Sequence, residues 1–172
     1  QLKQFYGIEL LDFPHEVAML SLWLAEHQMN TKLNKEFGVN TSALPLKNIT
    51  QIVCGNACRL DWNVVCPHTA EEEVFVFGNP PYLGSRRQDI NQKRDMEIVF
   101  KEDYGELDYI ACWFMLGASY IRKSAAKYAF VSTNSICQGL QVALLWKRIL
   151  KEGLRINFAY KSFKWNNNAK YK

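Results

Sequence analysis

An α/β fold with a parallel sheet is predicted by three observations. Short apolar runs bounded by turn residues alternate with longer stretches of helical spacing. One of those runs, Val74-Phe75-Val76-Phe77, is continuous rather than alternating, as expected of a strand buried on both faces. The run then stops at Gly78 and is followed at once by Asn79 and a double proline, where a strand of such a sheet hands over to a loop.

Taken in order, residues 5–10 (Phe-Tyr-Gly-Ile-Glu-Leu) are short, aromatic and apolar and read as a strand ending near an acid. Asp12 is a plausible helix cap with Pro14 close behind, and the sets Val17, Leu20, Leu24 and Ala18, Leu22, Ala25 recur at helical spacing through Met29. Residues 40–46, with Pro45, form a polar loop. A second strand is expected over 49–53, ended by Gly55-Asn56. Residues 85–101 are highly charged without a clear period and read as a mobile loop with some helix. A strongly apolar helix follows over 107–121, a strand over 128–131, a helix over 139–150 ending near Gly153, and a strand over 156–160. Strands alternating with helices imply a parallel sheet with crossovers.

The 172 residues give one domain as a prior, and 48% hydrophobic content is enough for a sizeable core. No run approaches the ~20 apolar residues that a membrane span needs. The start shows no signal-peptide pattern. Five scattered cysteines lack a disulfide-framework spacing, so a reducing cytoplasm is expected. The net charge of +4 permits a polyanionic partner without requiring one.

Asn79-Pro80-Pro81-Tyr82 carries the chemistry. Two consecutive prolines fix two φ angles and remove two backbone donors, giving a rigid loop whose carbonyls remain acceptors. The Asn79 side-chain oxygen and the Pro80 carbonyl could hold an amino group between them, and Tyr82 offers a face for stacking. Pro-Pro alone falls at about one position in 400; with a polar residue before and an aromatic after, the order is one in 30,000. A rigid strand-to-loop turn is the plain alternative, and it does not explain why the flanking residues are these.

Asn-Pro-Pro-Tyr after a strand resembles the catalytic motif of SAM-dependent DNA methyltransferases that act on amino groups, chiefly the adenine-specific ones. The resemblance extends over most of the chain. The Ser-Leu-Trp-Leu-Ala-Glu-His-Gln-Met-Asn run at 21–30, Gly55-Asn56 with Leu60-Asp61-Trp62, residues 78–87, and Ser162-Phe163-Lys164-Trp165-Asn166 are all similar to the methylase region of large single-chain restriction-modification enzymes.

The resemblance implies an incomplete Rossmann-like class I methyltransferase sheet with flanking helices. It implies S-adenosyl-L-methionine (SAM) as methyl donor and the exocyclic amino group of adenine in duplex DNA as acceptor, the base being flipped from the stack. In that family an acid ending the strand binds the cofactor ribose; here that is Glu9, followed by Leu10. Asp61 would accept from the cofactor's adenine amino group and Trp62 would lie against its ring. Asn79, Pro80, Pro81 and Tyr82 would be catalytic, Tyr82 stacking on one face of the target base and either Trp165 or Phe163 on the other. Arg86 and Arg87, with Lys93 and Arg94 beyond, would meet DNA phosphates. Without the motif these residues also read as a strand-end acid, a helix cap, core aromatics and a solvated charged loop.

The glycine-rich SAM loop of the family should precede Glu9 and is not in the sequence. Residues 1–172 are therefore expected to be a partial catalytic domain, without the SAM-loop unit and a target-recognition domain, and in isolation inactive or nearly so. Two alternatives stand beside this. Related Asn-Pro-Pro-Tyr enzymes act on protein glutamine or on RNA. Cys54, Cys58, Cys66 and His68 could instead hold zinc in a small binding module, although their spacing matches no common finger.

Overall fold

The computed structural model describes residues 2–38, 51–151 and 153–164. The chain forms two compact units, Gln1–His68 and Thr69–Lys172. The expected loop at 40–46 and Trp165 lie outside the described residues.

In the first unit, strand β1 (Gly7–Glu9) pairs in parallel with β2 (Ile52–Cys54), with Glu9 opposite Cys54. A parallel pair needs a crossover, and helix α1 (Asp12–Phe37) lies in the connection. Asp12 is the first helical residue rather than the cap; Leu11 holds the cap position without a side-chain bond. The helix runs well past Met29 and ends at Gly38, whose φ of 64° is the left-handed conformation that glycine adopts without a Cβ penalty. Half-buried positions recur at His15, Ala18, Met19, Leu22, Trp23 and Glu26, whereas Val17, Leu20 and Leu24 are exposed. Of the two apolar sets in the sequence, the Ala18–Leu22 set is thus the less exposed one at those two positions. His15 ties the helix to β2, its Nε2 standing 3.0 Å from the Ile52 carbonyl. A four-residue helix, α2 (Trp62–Val65), follows.

In the second unit, β3 (Phe75–Gly78) pairs in parallel with β4 (Lys127–Phe130), Gly78 opposite Phe130. Between them run α3 (Ile90–Phe100) and α4 (Ala111–Tyr120). The core is here: Met96, Leu107, Ile110, Cys112 and Leu145 are fully enclosed. Segment 85–101, expected as a mobile loop with some helix, is more ordered than that: a short 3₁₀ turn (Ser85–Arg87) followed by the well-capped α3. Asp89 accepts from the Asn91 and Gln92 amides, and the Gln92 side chain accepts in return from the Asp89 amide at 3.0 Å. This is a capping box, which satisfies two donors at a helix start.

Two further expectations are corrected. β3 is not buried on both faces. Val76 and Gly78 lie half-buried on the side that carries Tyr128 and Phe130, near α4, while Phe75 and Phe77 are exposed beside Lys127. One helical layer covers this sheet among the described residues, and its apolar run serves one packed face. Residues 156–160 join no ladder, and Phe158 and Tyr160 meet edge-on in the open. The expected helix over 139–150 is present as a π turn (Val142–Trp146) leading into α5 (Lys147–Lys151). No helix among the described residues is long and apolar enough to cross a membrane.

Candidate active site

Residues 79–83 leave the carboxyl end of β3 as a loop held at both ends. At the entry, the Val131 amide donates to the Gly78 carbonyl at 3.0 Å, carrying the β3–β4 ladder to the last residue before Asn79. At the exit, Leu83 is bonded through both backbone groups. Its amide donates to Asp108 Oδ1 at 2.9 Å, and its carbonyl accepts from the Tyr109 amide at 2.9 Å and from Gln88 Nε2 at 3.2 Å. Between these anchors the two prolines restrict the backbone.

Pro80 is buried and Asn79, Pro81 and Tyr82 are exposed, Tyr82 at 45%. Among the described residues neither the Asn79 side chain nor the Pro80 carbonyl engages in a hydrogen bond. Two acceptors are thus held on consecutive residues of a rigid loop with their lone pairs available. The chemistry open to them is to accept from a group with two N–H donors, an amine or a planar amide.

The remaining expected residues divide between the units. Glu9 and Leu10 lie at the carboxyl end of β1, half-buried and exposed respectively, and the Glu9 carbonyl accepts from the Gly55 amide at 2.7 Å. Asp61 caps α2: its Oδ1 accepts from the Asn63 amide at 2.9 Å, while Oδ2 takes no bond among the described residues. Trp62 is half-buried, its indole N–H donating to the Ala57 carbonyl at 2.9 Å. Beside them the Cys54 thiol donates to Asp12 Oδ1 at 3.2 Å, and that hydrogen bond raises its pKa above the usual thiol value, as do lesser desolvation and the Asp12 charge.

In the second unit, Arg86 and Arg87 are exposed in the turn directly after the loop, and Lys93 and Arg94 are exposed on α3. Phe163 is exposed at 61%. Cys54, Cys58, Cys66 and His68 do not assemble; among the described residues no three His, Cys, Asp or Glu side chains come together as metal ligands.

Three residues behind the loop were not anticipated from sequence: Gln88, Asp108 and Gln141. Gln88 and Asp108 are buried. Their partners lie up to tens of residues away, which no local pattern encodes. One signal was available, since Asp108 is the single charged residue in the apolar stretch 107–121. A lone acid there requires a specific partner.

The comparisons with known proteins agree along the whole chain. A family model described as "MmeI, DNA-methyltransferase domain" matches residues 1–172. The chain is similar to "DNA methyltransferase A" of Bacillus subtilis (strain 168), with 56% identity over 98% of this chain and 20% of that protein. It is also similar to the solved Type IIL restriction-modification enzyme MmeI in complex with DNA: 42% identity, a TM-score of 0.88, and coverage of 98% of this chain and 23% of that one. The chain therefore spans about a fifth of the length of the relatives it matches.

Proposed function

The chain belongs to the MmeI DNA-methyltransferase domain family, and from that premise we propose that the protein carrying it transfers a methyl group from SAM to the exocyclic amino group of adenine in duplex DNA, within a restriction-modification system. The observation that carries the reading is the loop after β3. Asn79 and Pro80 offer two unengaged acceptors on a backbone anchored at Gly78 and Leu83.

In this reading the target adenine is flipped out of the duplex, because its amino group is unreachable in the stack. The Asn79 side-chain oxygen and the Pro80 carbonyl accept from the amino N–H groups and draw the nitrogen lone pair out of conjugation with the ring. The anchored loop has little to reorganise as charge develops, which is how preorganised dipoles lower a barrier. Tyr82 stacks on one face of the base. Phe163 or Trp165 covers the other, and Arg86 and Arg87 meet the phosphates alongside.

The acids of the first unit fit the methyl donor by the chemistry they present. Glu9 ends a parallel strand, and an acid there suits paired ribose hydroxyls. Asp61 spends one oxygen on its helix cap and retains Oδ2 for an adenine amino group. Trp62 is fixed by its indole bond and Leu10 is exposed beside Glu9. When bound, SAM supplies the electrophilic sulfonium methyl. The class I Rossmann-like sheet and a cytoplasmic setting belong to the same proposal.

The test is methyl transfer from tritiated SAM by the full-length protein, with duplex DNA, RNA and protein acceptors offered separately. Label on DNA supports the reading. Label confined to protein or RNA retains a methyltransferase and removes the DNA assignment.

A further inference from the structure

We propose that Asp108 is a positioning residue for the Asn79–Tyr82 loop, acting through the Leu83 amide. The proposal rests on the methyl-transfer reading above for its consequence, though not for its geometry. Asp108 is buried, at 7% exposure, yet among the described residues no cation pairs with it; its Oδ1 instead accepts from two backbone amides, Leu83 at 2.9 Å and Ile110 at 3.3 Å. One oxygen thereby joins the residue after Tyr82 to the start of α4.

Asp108 is itself held. Gln141 donates through Nε2 to the Glu106 carbonyl at 2.8 Å and accepts through Oε1 from the Asp108 amide at 3.2 Å. Gln88 bridges the same two segments, its Nε2 donating to the Leu83 and Leu107 carbonyls at 3.2 and 3.0 Å. On α3, Asp95 Oδ2 accepts from the Tyr109 hydroxyl at 2.8 Å, fixing the neighbouring residue to a second helix. Asp108 and Gln88 thus hold the loop exit directly, and Gln141 and Asp95 hold the segment 106–109 to which they tie it. None of these side chains is hydrogen-bonded to Asn79 or Pro80.

The consequence is on the orientation of those acceptors. The prolines restrict φ at positions 80 and 81 and ψ at the residue before each, but ψ of Pro81 and both angles of Tyr82 stay free, so a double proline anchored at Gly78 alone would still swing at Tyr82. Fixing the Leu83 amide closes the far end. Displacing catalytic groups by about 1 Å costs on the order of 10²-fold in rate, so loss of the clamp should act on turnover rather than on cofactor binding.

The test uses the full-length protein with Asp108→Ala, Asp108→Asn and Asn79→Ala, read by amide hydrogen exchange and by steady-state methylation. Asn keeps an acceptor oxygen of the same reach, whereas Ala removes it. In Asp108→Ala the Leu83 and Ile110 amides should exchange on the order of 10-fold faster or more, while the Lys127 and Val131 amides of the β3–β4 ladder stay protected. The kcat should fall on the order of 10-fold or more with KM for SAM within about twofold, and Asp108→Asn should restore most of both. Unchanged Leu83 exchange in Asp108→Ala overturns the proposal. So does equal loss of protection at Lys127 and Val131, which would mark Asp108 as a general fold residue. If Asn79→Ala methylates as well as wild type, the functional reading fails, and the exchange data still decide whether the clamp exists.

Discussion

Gly117 of α4 faces the Tyr128 ring so closely that a Cβ placed on the glycine would stand 3.1 Å from Tyr128 Cγ and 3.3 Å from Phe130 Cε2. The helix reaches the sheet by omitting a side chain. Neither ring has an easy retreat, because both already meet Phe114 edge-on, at centroid distances of 6.0 and 5.5 Å. Gly117→Val should therefore destabilise the second unit by about 1–3 kcal/mol through overpacking. Urea denaturation followed by tryptophan fluorescence would measure it, with a lower midpoint expected.

Tyr128 also gives the fold an alkaline limit. Burial raises its phenol pKa to about 12. An acid whose folded pKa exceeds its unfolded value of about 10 contributes fully below pH 10, and that contribution is lost as pH rises toward 12. The loss is on the order of 2 kcal/mol. Thermal melts across this window should show a steeper fall for wild type than for Tyr128→Phe, which has no proton to lose.

Asp61 permits a separation of folding from binding. Asn is as good a helix cap as Asp, so Asp61→Asn keeps the bond to the Asn63 amide. It replaces the second oxygen by a donor, which opposes an amino group. SAM affinity should fall about 10-fold or more by calorimetry, with Tm changed by no more than about 1 °C.

Arg86 and Arg87 are expected to act through charge alone. Each Ala substitution should weaken DNA binding for every sequence alike and reduce the slope of log K against log salt by about 1. A sequence-selective loss would instead place these arginines on base edges.

What was legible in the sequence, and what was not, follows from the range of the forces involved. β3 and its loop were readable because an apolar run, a glycine and two prolines are local constraints, and β3 starts and stops within a residue of expectation. The fate of each face of β3 was not, since burial of Phe75 and Phe77 depends on what else covers the sheet. α3 was hidden by its charges, although Asp89 and Gln92 at cap spacing announced its start. Residues 156–160 have strand composition, but a strand also needs a neighbouring edge, and composition cannot supply one. The Asp108–Leu83 bond spans 25 residues, so the loop motif was visible in the sequence and its support was not.

The central claim is that Asn79 helps hold an adenine amino group for methylation. The most direct measurement digests duplex DNA after incubation with SAM and the full-length protein, wild type or Asn79→Ala, and quantifies methylated nucleosides by mass spectrometry. The account predicts N6-methyladenine from the wild type and a fall on the order of 10²-fold or more in the variant. N6-methyladenine formed equally by both proteins, or a methylated base other than adenine, would contradict it.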